Sequence, residues 1–346
     1  MNETLDQLLS GRDLSTSQAE DLLTSLADPA MPQPLAGALL AALRAKGETA
    51  DEVRGFASAM RRLARRPQIP DDVRGIDIVG TGGDGSGSLN LSTAAALVTA
   101  ACGQPVIKHG NRSISSRSGS ADVLRALGMH LPDSEEDVVG CLAATGFTFL
   151  FAPTFHPAMK AIAPVRKALG VRTIFNILGP LTNPASPPYY LIGAFNPTVA
   201  ELMAKALAGL PIERAFVVHG APAWDEPTPA GPFLLFDVRP GSVRRETRDP
   251  GDYGFSRCSP HELAGGEADA NAASIRSVLQ GDHRGAVFDA VTLGAAIALE
   301  VTSAALNVAA GVEMARTAIE DGTAGRFLDA LCAWQPVTSS QESQRV

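Results

Sequence analysis

The stretch from residue 76 to residue 94 constrains the fold more than any other part of the chain. Strand-like Ile76-Asp77-Ile78-Val79 runs into five glycines within eight residues, at positions 80, 82, 83, 85 and 87. Asn90, Ser92 and Thr93 then stand at the head of an alanine-rich helical run. Glycines let the backbone approach a ligand closely, and a helix start offers unpaired N–H groups and a positive dipole end to an anion. Formally Gly80-Thr81-Gly82-Gly83-Asp84-Gly85 fits G-x-G-x-x-G, but its surroundings do not suit a dinucleotide. The helix starts several residues after the glycines, and about twenty residues on, where an acid is needed, stand Lys108 and His109. No Gly-Lys-Ser/Thr closes the turn, so it is not a P-loop either.

A second strand, Pro105 to Lys108, ends in Lys108-His109-Gly110-Asn111-Arg112-Ser113-Ile114-Ser115-Ser116-Arg117-Ser118-Gly119-Ser120, again just before a helix start. Two donor-rich strand-to-helix loops in succession belong at the carboxyl edge of a parallel sheet, where ligands bind. Together they suit a ligand carrying phosphates at two separate positions. A third segment, His156 to Pro184, places Arg166 among apolar residues, which suits a planar carboxylate-bearing substrate. Taken alone, Arg166 reads equally as a surface helix residue. In the fourth, the strand through Val217 and Val218 leads to Trp224-Asp225-Glu226, whose adjacent carboxylates suit Mg²⁺ bridging to phosphate oxygens. Adjacent acids are also common on solvated loops.

Around these segments the chain divides in two. Residues up to 66 read as helices: Leu5, Leu8 and Leu9 at helical spacing, then Ala19–Leu26, Leu35–Lys46 and Val53–Arg66. The last ends in Arg61-Arg62-Leu63-Ala64-Arg65-Arg66, read as a solvated helix end favoured by the dipole. Pro67 to Pro70 reads as a linker. Beyond it, strands at 76–79, 105–108, 147–151, 189–193, 215–219 and 233–237 alternate with helices at 92–102, 121–127 and 199–207. Helices at 271–279, 289–301 and 312–321 close the chain. That alternation predicts an α/β fold: a small helical domain over residues 1–70, joined by helices from about 160–180, and an α/β domain over 71–335 with a mainly parallel sheet. Residues 336–346 read as a flexible tail.

Charge and composition narrow the function classes. The 346 residues carry a net charge of −8, which argues against wholesale nucleic-acid binding. The four cysteines, Cys102, Cys141, Cys258 and Cys332, lie far apart, as reduced thiols of a cytoplasmic protein do. No basic and apolar leader opens the chain, and the apolar stretch Ala286–Ala310 is broken by Asp289, Thr292, Glu300 and Asn307, so a buried helix and not a membrane span is expected.

Taken in order, Gly80-Thr81-Gly82-Gly83-Asp84, Lys108-His109-Gly110-Asn111-Arg112-Ser113, Ser118-Gly119-Ser120-Ala121-Asp122, Asn176-Ile177-Leu178-Gly179-Pro180-Leu181-Thr182-Asn183-Pro184 and Asp225-Glu226 resemble the anthranilate phosphoribosyltransferases over roughly residues 5 to 335. The resemblance implies a nucleoside phosphorylase/phosphoribosyltransferase-like fold and a homodimer formed through the helical domain. It also implies transfer of a phosphoribosyl group from phosphoribosyl pyrophosphate to the amine of anthranilate, with Mg²⁺, two ions, and little acid–base help from the protein. By the same resemblance phosphoribosyl pyrophosphate would meet Gly80, Gly83, Asp84, Ser88, Asn90, Leu91, Ser92, Thr93, Lys108, His109, Gly110, Asn111, Arg112, Ser113, Ile114, Ser115, Ser116 and Ser120. Anthranilate would meet Gly80, Asn111 and Arg166, with His109, His156 and Pro180 lining its way in. Ser92, Asp225 and Glu226 would hold the metal.

Leu89, Ala223-Trp224, the prolines after Glu226 and Gly294 depart from the usual pattern, which bears on the metal loop more than on the phosphate loops. Two other readings share the architecture: a pyrimidine nucleoside phosphorylase, which would lack the Lys108–Arg112 and Asn176–Leu181 segments, and a non-catalytic nucleic-acid-binding relative, which would need a basic face.

Overall fold

The computed structural model describes residues 1–112 and 117–336. Four helices come first: α1 (Asn2–Leu9), α2 (Thr16–Leu26), α3 (Gln33–Lys46) and α4 (Ala50–Leu63). Strand β1 (Ile76–Gly80) leads into α5 (Leu91–Ala101), β2 (Val106–Gly110), α6 (Ser120–Ala126), α7 (Glu135–Thr145) and β3 (Phe147–Phe151). Short helices α8 (Ala152–Phe155), α9 (Ala163–Leu169) and α10 (Phe175–Leu178) carry the chain to β4 (Tyr189–Gly193), α11 (Pro197–Leu207) and β5 (Arg214–Gly220). The hairpin β6 (Phe233–Arg239) and β7 (Ser242–Arg248) follows, then α12 (Ala268–Leu279), α13 (Ala286–Val301), α14 (Val308–Glu320) and α15 (Thr323–Ala333).

Among the described residues the sheet runs β3-β2-β1-β4-β5-β6-β7, parallel from β3 through β5 and antiparallel at β6 and β7. The mainly parallel sheet expected from the strand–helix alternation is therefore present. From β1 the chain first winds toward β3, then returns to β4 on the other side of β1. The carboxyl ends of β1 and β4, paired at Gly80 and Gly193, thus form the point where strand order reverses. In an open α/β sheet that reversal opens a crevice for a ligand.

Both faces of the sheet are covered. On one, α5 and α13 pack closely because both are alanine-rich: a Cβ added at Gly294 would stand 3.0 Å from that of Ala95. Residues of α13 are almost wholly buried, as expected of an interrupted apolar run, and no helix among the described residues is long and apolar enough to cross a membrane. On the other face, Tyr190, Ile192, Ala215 and Val217 share one core with α11 and with Leu39, Phe56 and Met60 of the first four helices.

Boundaries shift where capping overrides periodicity. Helix α4 starts at Ala50 and not at Val53, because Thr49 and Glu52 cap each other reciprocally. It stops at Leu63, and the Arg65 N–H donates to the Phe155 carbonyl instead. The basic run is not a uniformly solvated helix end: Arg61 is buried with 6% exposure, because it lies one helical turn beyond Ala57 on the core-facing side. Helices α7 and α15 and strand β7 escape a periodicity reading. Ser242 to Arg248 forms a polar edge strand, lacking the apolar alternation by which strands are recognised. The expected tail lies beyond Pro336, outside the described residues.

Helices α2 and α4 touch at Gly55, where an added Cβ would stand 2.3 Å from the Thr16 carbonyl oxygen and 2.7 Å from the Ala19 Cβ. Gly55→Ala is expected to destabilise the chain by about 1–3 kcal/mol, although alanine favours a helix interior by about 1 kcal/mol. Urea denaturation measures the difference; a gain in stability would mean that α2 and α4 do not touch there.

Candidate active site

Everything at the strand-order reversal is arranged around the loop after β5. Trp224 bridges back to Gly220 through paired backbone hydrogen bonds of 2.8 and 2.9 Å and buries its ring in the core, so the next two residues are driven against the sheet edge. Asp225 Oδ2 accepts the Gly82 N–H at 2.6 Å, and the Asp225 N–H donates to Asp84 Oδ2 at 3.2 Å. Glu226 Oε1 accepts the Ser92 N–H at 3.0 Å, in the first turn of α5. Space for this loop exists because two paired strand ends have no side chains. A Cβ on Gly80 would lie 2.3 Å from Asp225 Oδ2, and one on Gly193 would overlap the Asp225 carbonyl oxygen at 1.5 Å.

Glycines 82, 83, 85 and 87 all take positive φ, a conformation that glycine adopts without steric cost. Asp84 closes the loop on itself by accepting from the Ser86 N–H at 3.0 Å and hydroxyl at 2.9 Å. Arg172, stacked 4.3 Å over the Phe195 ring, donates to the Gly83 carbonyl. Ser88 and Leu89 pair with the 263–265 segment.

Burial raises the pKa of Asp225, and the nearby charge of Asp84 raises it further. Burial likewise raises Glu226, with Asp225 adding to it and the Lys108 ammonium opposing. Lys108 lies beneath them, buried at 1% exposure and donating to the Ile78 carbonyl. Burial lowers its pKa against the pull of Asp77 and Glu226. Asp77, pushed up to about 6 by burial, accepts from the His109 N–H and from Asn183.

Beside the acid pair lies a second group. His109 and His156 face each other with ring centroids 5.1 Å apart, at 4% and 6% exposure. His109 Nδ1 lies 3.2 Å from the Gly179 carbonyl, His156 bonds the Thr182 backbone, and Pro180 is buried between. Each ring keeps a buried Nε2 with no partner among the described residues. With Nδ1–H donating to a carbonyl, that Nε2 is an acceptor. Arg166 sits on α9 with its guanidinium 4.9 Å over Phe175, and that guanidinium makes no hydrogen bond or ion pair among the described residues. Burial lowers its pKa.

The second loop is anchored from behind. Asn271 of α12 donates to Asn90 Oδ1 and Ser118 Oγ, each at 2.9 Å, and so ties the start of α5 to the approach to α6. Ser120 donates to the Asn111 carbonyl at 3.3 Å, Gly110 ends β2, and Arg112 lies 5.7 Å over Phe151. Leu91 and the Thr93 hydroxyl are buried. Ser113, Ile114, Ser115 and Ser116 lie outside the described residues.

Contacts across the sheet edge thus join Gly80, Asp84, Ser92, Asp225 and Glu226 in one cluster, and His109, His156 and the Pro180 turn in another, while Arg166 stands on the helical side. Sequence reasoning missed Asp77, Asn183, Asn271, Arg61 and Arg172. Asp77 carried a signal, an acid inside an otherwise apolar strand; Asn271 carried none.

Comparison with known proteins then decides the family. The glycosyl transferase family's a/b domain matches residues 72–325, and its helical bundle domain matches residues 2–64. Anthranilate phosphoribosyltransferase of Desulforudis audaxviator is 47% identical over 332 residues, 96% of this chain and 95% of its own. The chain belongs to the anthranilate phosphoribosyltransferase family. Among solved structures of the family, the Thermus thermophilus protein superposes with a TM-score of 0.89 at 41% identity, over 95% of this chain and 98% of that one. A family member from Saccharomyces cerevisiae, solved in complex with PRPP and Mg, gives 0.87 at 27% identity over 96% of both chains. The same yeast protein, solved with 4-fluoroanthranilate, gives 0.85 over 95% and 96%.

The histidine pair makes a prediction about acid stability. Burial pushes His109 down to about 3, helped by the charge of His156, and burial pushes His156 down to about 4. An unfolded histidine takes up its proton near pH 6.5. Between those values the unfolded chain binds more protons, so the rings' contribution falls as pH drops from about 6.5 to about 4, by up to about 1.4 kcal/mol per pH unit for each ring. His109→Asn with His156→Gln is expected to flatten that limb. Urea denaturation across it provides the check; parallel slopes in the variant and the parent would contradict the burial.

Proposed function

We propose that the protein transfers the phosphoribosyl group of phosphoribosyl pyrophosphate to the amine of anthranilate, releasing pyrophosphate, as a step of tryptophan biosynthesis in the cytoplasm. The observation that carries this reading is the pairing of two unlike subsites at one sheet edge in a member of this family. One is a glycine loop and helix start backed by buried acids. The other is lined by neutral imidazoles and flanked by Arg166, whose guanidinium stacks on Phe175 and pairs with no carboxylate among the described residues.

The loop N–H groups and the first turn of α5 would take the diphosphate, with the donors from Asn111 to Ser120 around the remaining phosphate, while the Lys108 ammonium stays on the Ile78 carbonyl. Asp225, Glu226 and Ser92 suit Mg²⁺, since their oxygens are hard donors and the carboxylates lie buried beside Asp84. No group of three or more His, Cys, Asp or Glu side chains able to hold a metal ion occurs among the described residues, so oxygens of the diphosphate and water would complete the coordination of two ions. Bound there, Mg²⁺ would stabilise negative charge developing on the leaving pyrophosphate.

Arg166 would pair with the anthranilate carboxylate, and the free Nε2 acceptors of His109 and His156 would orient the amine. With pKa values of about 3 and 4 these rings are too weakly basic to draw a proton from the amine efficiently. Their role is to position it, in keeping with a displacement that needs little acid–base help. Leu9, 68% exposed on α1, and the neighbouring helices would meet a second copy of the chain in a homodimer.

Loss of anthranilate fluorescence that requires both phosphoribosyl pyrophosphate and Mg²⁺ tests the activity; consumption independent of either would overturn it. Arg166→Ala is expected to raise the anthranilate KM by about 10- to 150-fold, the worth of one charged hydrogen bond, with little change for phosphoribosyl pyrophosphate. Asp225→Asn with Glu226→Gln is expected to keep or raise the Tm, lose most of kcat and demand more Mg²⁺. Normal turnover at ordinary magnesium would remove the pair from the metal site.

A further inference from the structure

Arg61 of α4 is a buried cation without an acid. Its side chain is 6% exposed, and among the described residues no carboxylate pairs with it. Nε donates to the Leu181 carbonyl at 2.8 Å and Nη2 to the Tyr190 hydroxyl at 3.1 Å, while the guanidinium lies 5.7 Å from the Tyr190 ring centroid. Nη1 has no partner. A buried charge without a counter-ion is costly, and well-packed apolar residues are often the more stable choice at such sites.

What Arg61 holds is the turn Gly179–Leu181, which presents Pro180. Its carbonyls are taken by three different parts of the chain. Gly179 receives His109 from β2, Leu181 receives Arg61 from α4, and the backbone of Thr182, next in sequence, receives His156 from the residue after α8. The turn itself supplies only the Thr182 N–H and hydroxyl to the Gly179 oxygen, at 3.2 and 3.0 Å. Each of the three residues that hold it also keeps one buried nitrogen without a protein partner, whereas the other four such atoms among the described residues are threonine hydroxyls. Arg61 is the member of the trio that comes from the N-terminal helices, 120 residues from its acceptor.

We propose that Arg61 is a positioning residue for the aromatic substrate, fixing the Pro180 turn beside the histidine pair and tying its place to that of α4. The inference rests on the assignment of the histidine-lined subsite to anthranilate. Arg61 acts through the turn and bonds neither the glycine run nor the start of α5, so its loss should move anthranilate binding and leave the diphosphate subsite alone.

Arg61→Met keeps length and apolar volume but removes the donors; Arg61→Lys keeps the charge and one reachable acceptor; Tyr190→Phe removes one anchor while preserving the ring. With the full-length protein, Arg61→Met is expected to raise the anthranilate KM by about 3- to 10-fold, less than the loss of a direct charged contact. Phosphoribosyl pyrophosphate KM should stay within about two-fold. Arg61→Lys should recover part of the loss, and Tyr190→Phe should shift anthranilate KM in the same direction by a smaller factor. A merely structural role would lower the Tm and the active fraction, hence kcat, without this split. Unchanged anthranilate KM, or both KM values rising together, would overturn the inference. Should Arg61→Met fail to fold, Tyr190→Phe decides by the same criterion. A wild-type protein that ignores anthranilate would overturn the functional reading and this inference with it; an active wild type with unmoved variants would overturn only the latter.

Discussion

The seat of the Asp225–Glu226 peptide against the ends of β1 and β4 is the contact on which the rest of the sheet edge depends. A carboxylate sits 2.6 Å from the Gly82 N–H because neither Gly80 nor Gly193 carries a Cβ, and because the β5 loop is turned back by the bridge at Gly220 and Trp224. With that loop in place, the glycine run is tied at Gly82 and Asp84 and the start of α5 is tied at Ser92. Three carboxylates in one small volume repel, and burial makes each charge more expensive. Such an arrangement weakens the free protein and suits one that meets a cation and an anion together, each completing what the other lacks.

A second constraint operates between the helices and the sheet. The core under β4 and β5 is continuous with that of the first four helices, so the helical segment is a layer on the sheet as much as a separate body. Arg61 and Arg65 reach from the end of that segment into the α/β part, Arg65 pairing with Glu135 at 2.9 Å. Arg166 belongs to the same side through Phe175, which meets Phe56 edge-on at 6.1 Å. The two proposed subsites are therefore built on different supports: the one proposed for the phosphates on strand ends and helix starts, the one proposed for the aromatic substrate on the junction with the helices. Relative motion of those supports would alter one subsite against the other.

Beneath both subsites, Asp77, Lys108 and Asn183 form a buried polar floor. Asn183 donates to Asp77 at 2.9 Å and to the Ile107 carbonyl at 2.7 Å, so the peptide leading to β4 is fastened across β1 and β2. The charge of Lys108 acts on both Glu226 and Asp77. The lysine read from sequence as a phosphate donor thus points its ammonium at the Ile78 carbonyl, where it balances buried acids.

The sequence by itself determined the strand-to-glycine-to-helix passages, the helical and α/β halves, the sheet's parallel character and the motifs that mark the family. All of these follow from neighbours along the chain: backbone permissiveness, periodicity and helix starts act within a few residues. It did not determine that Gly80 and Gly193 lie side by side to admit Asp225, that Asn271 ties two loops together, or that Arg61 faces inward to a carbonyl 120 residues away. Those relations depend on strand order and on which helix face meets the sheet, which only the packed core sets. A basic residue at a helix end or an asparagine in a helix looks the same in sequence whether its partner is water or a buried backbone oxygen.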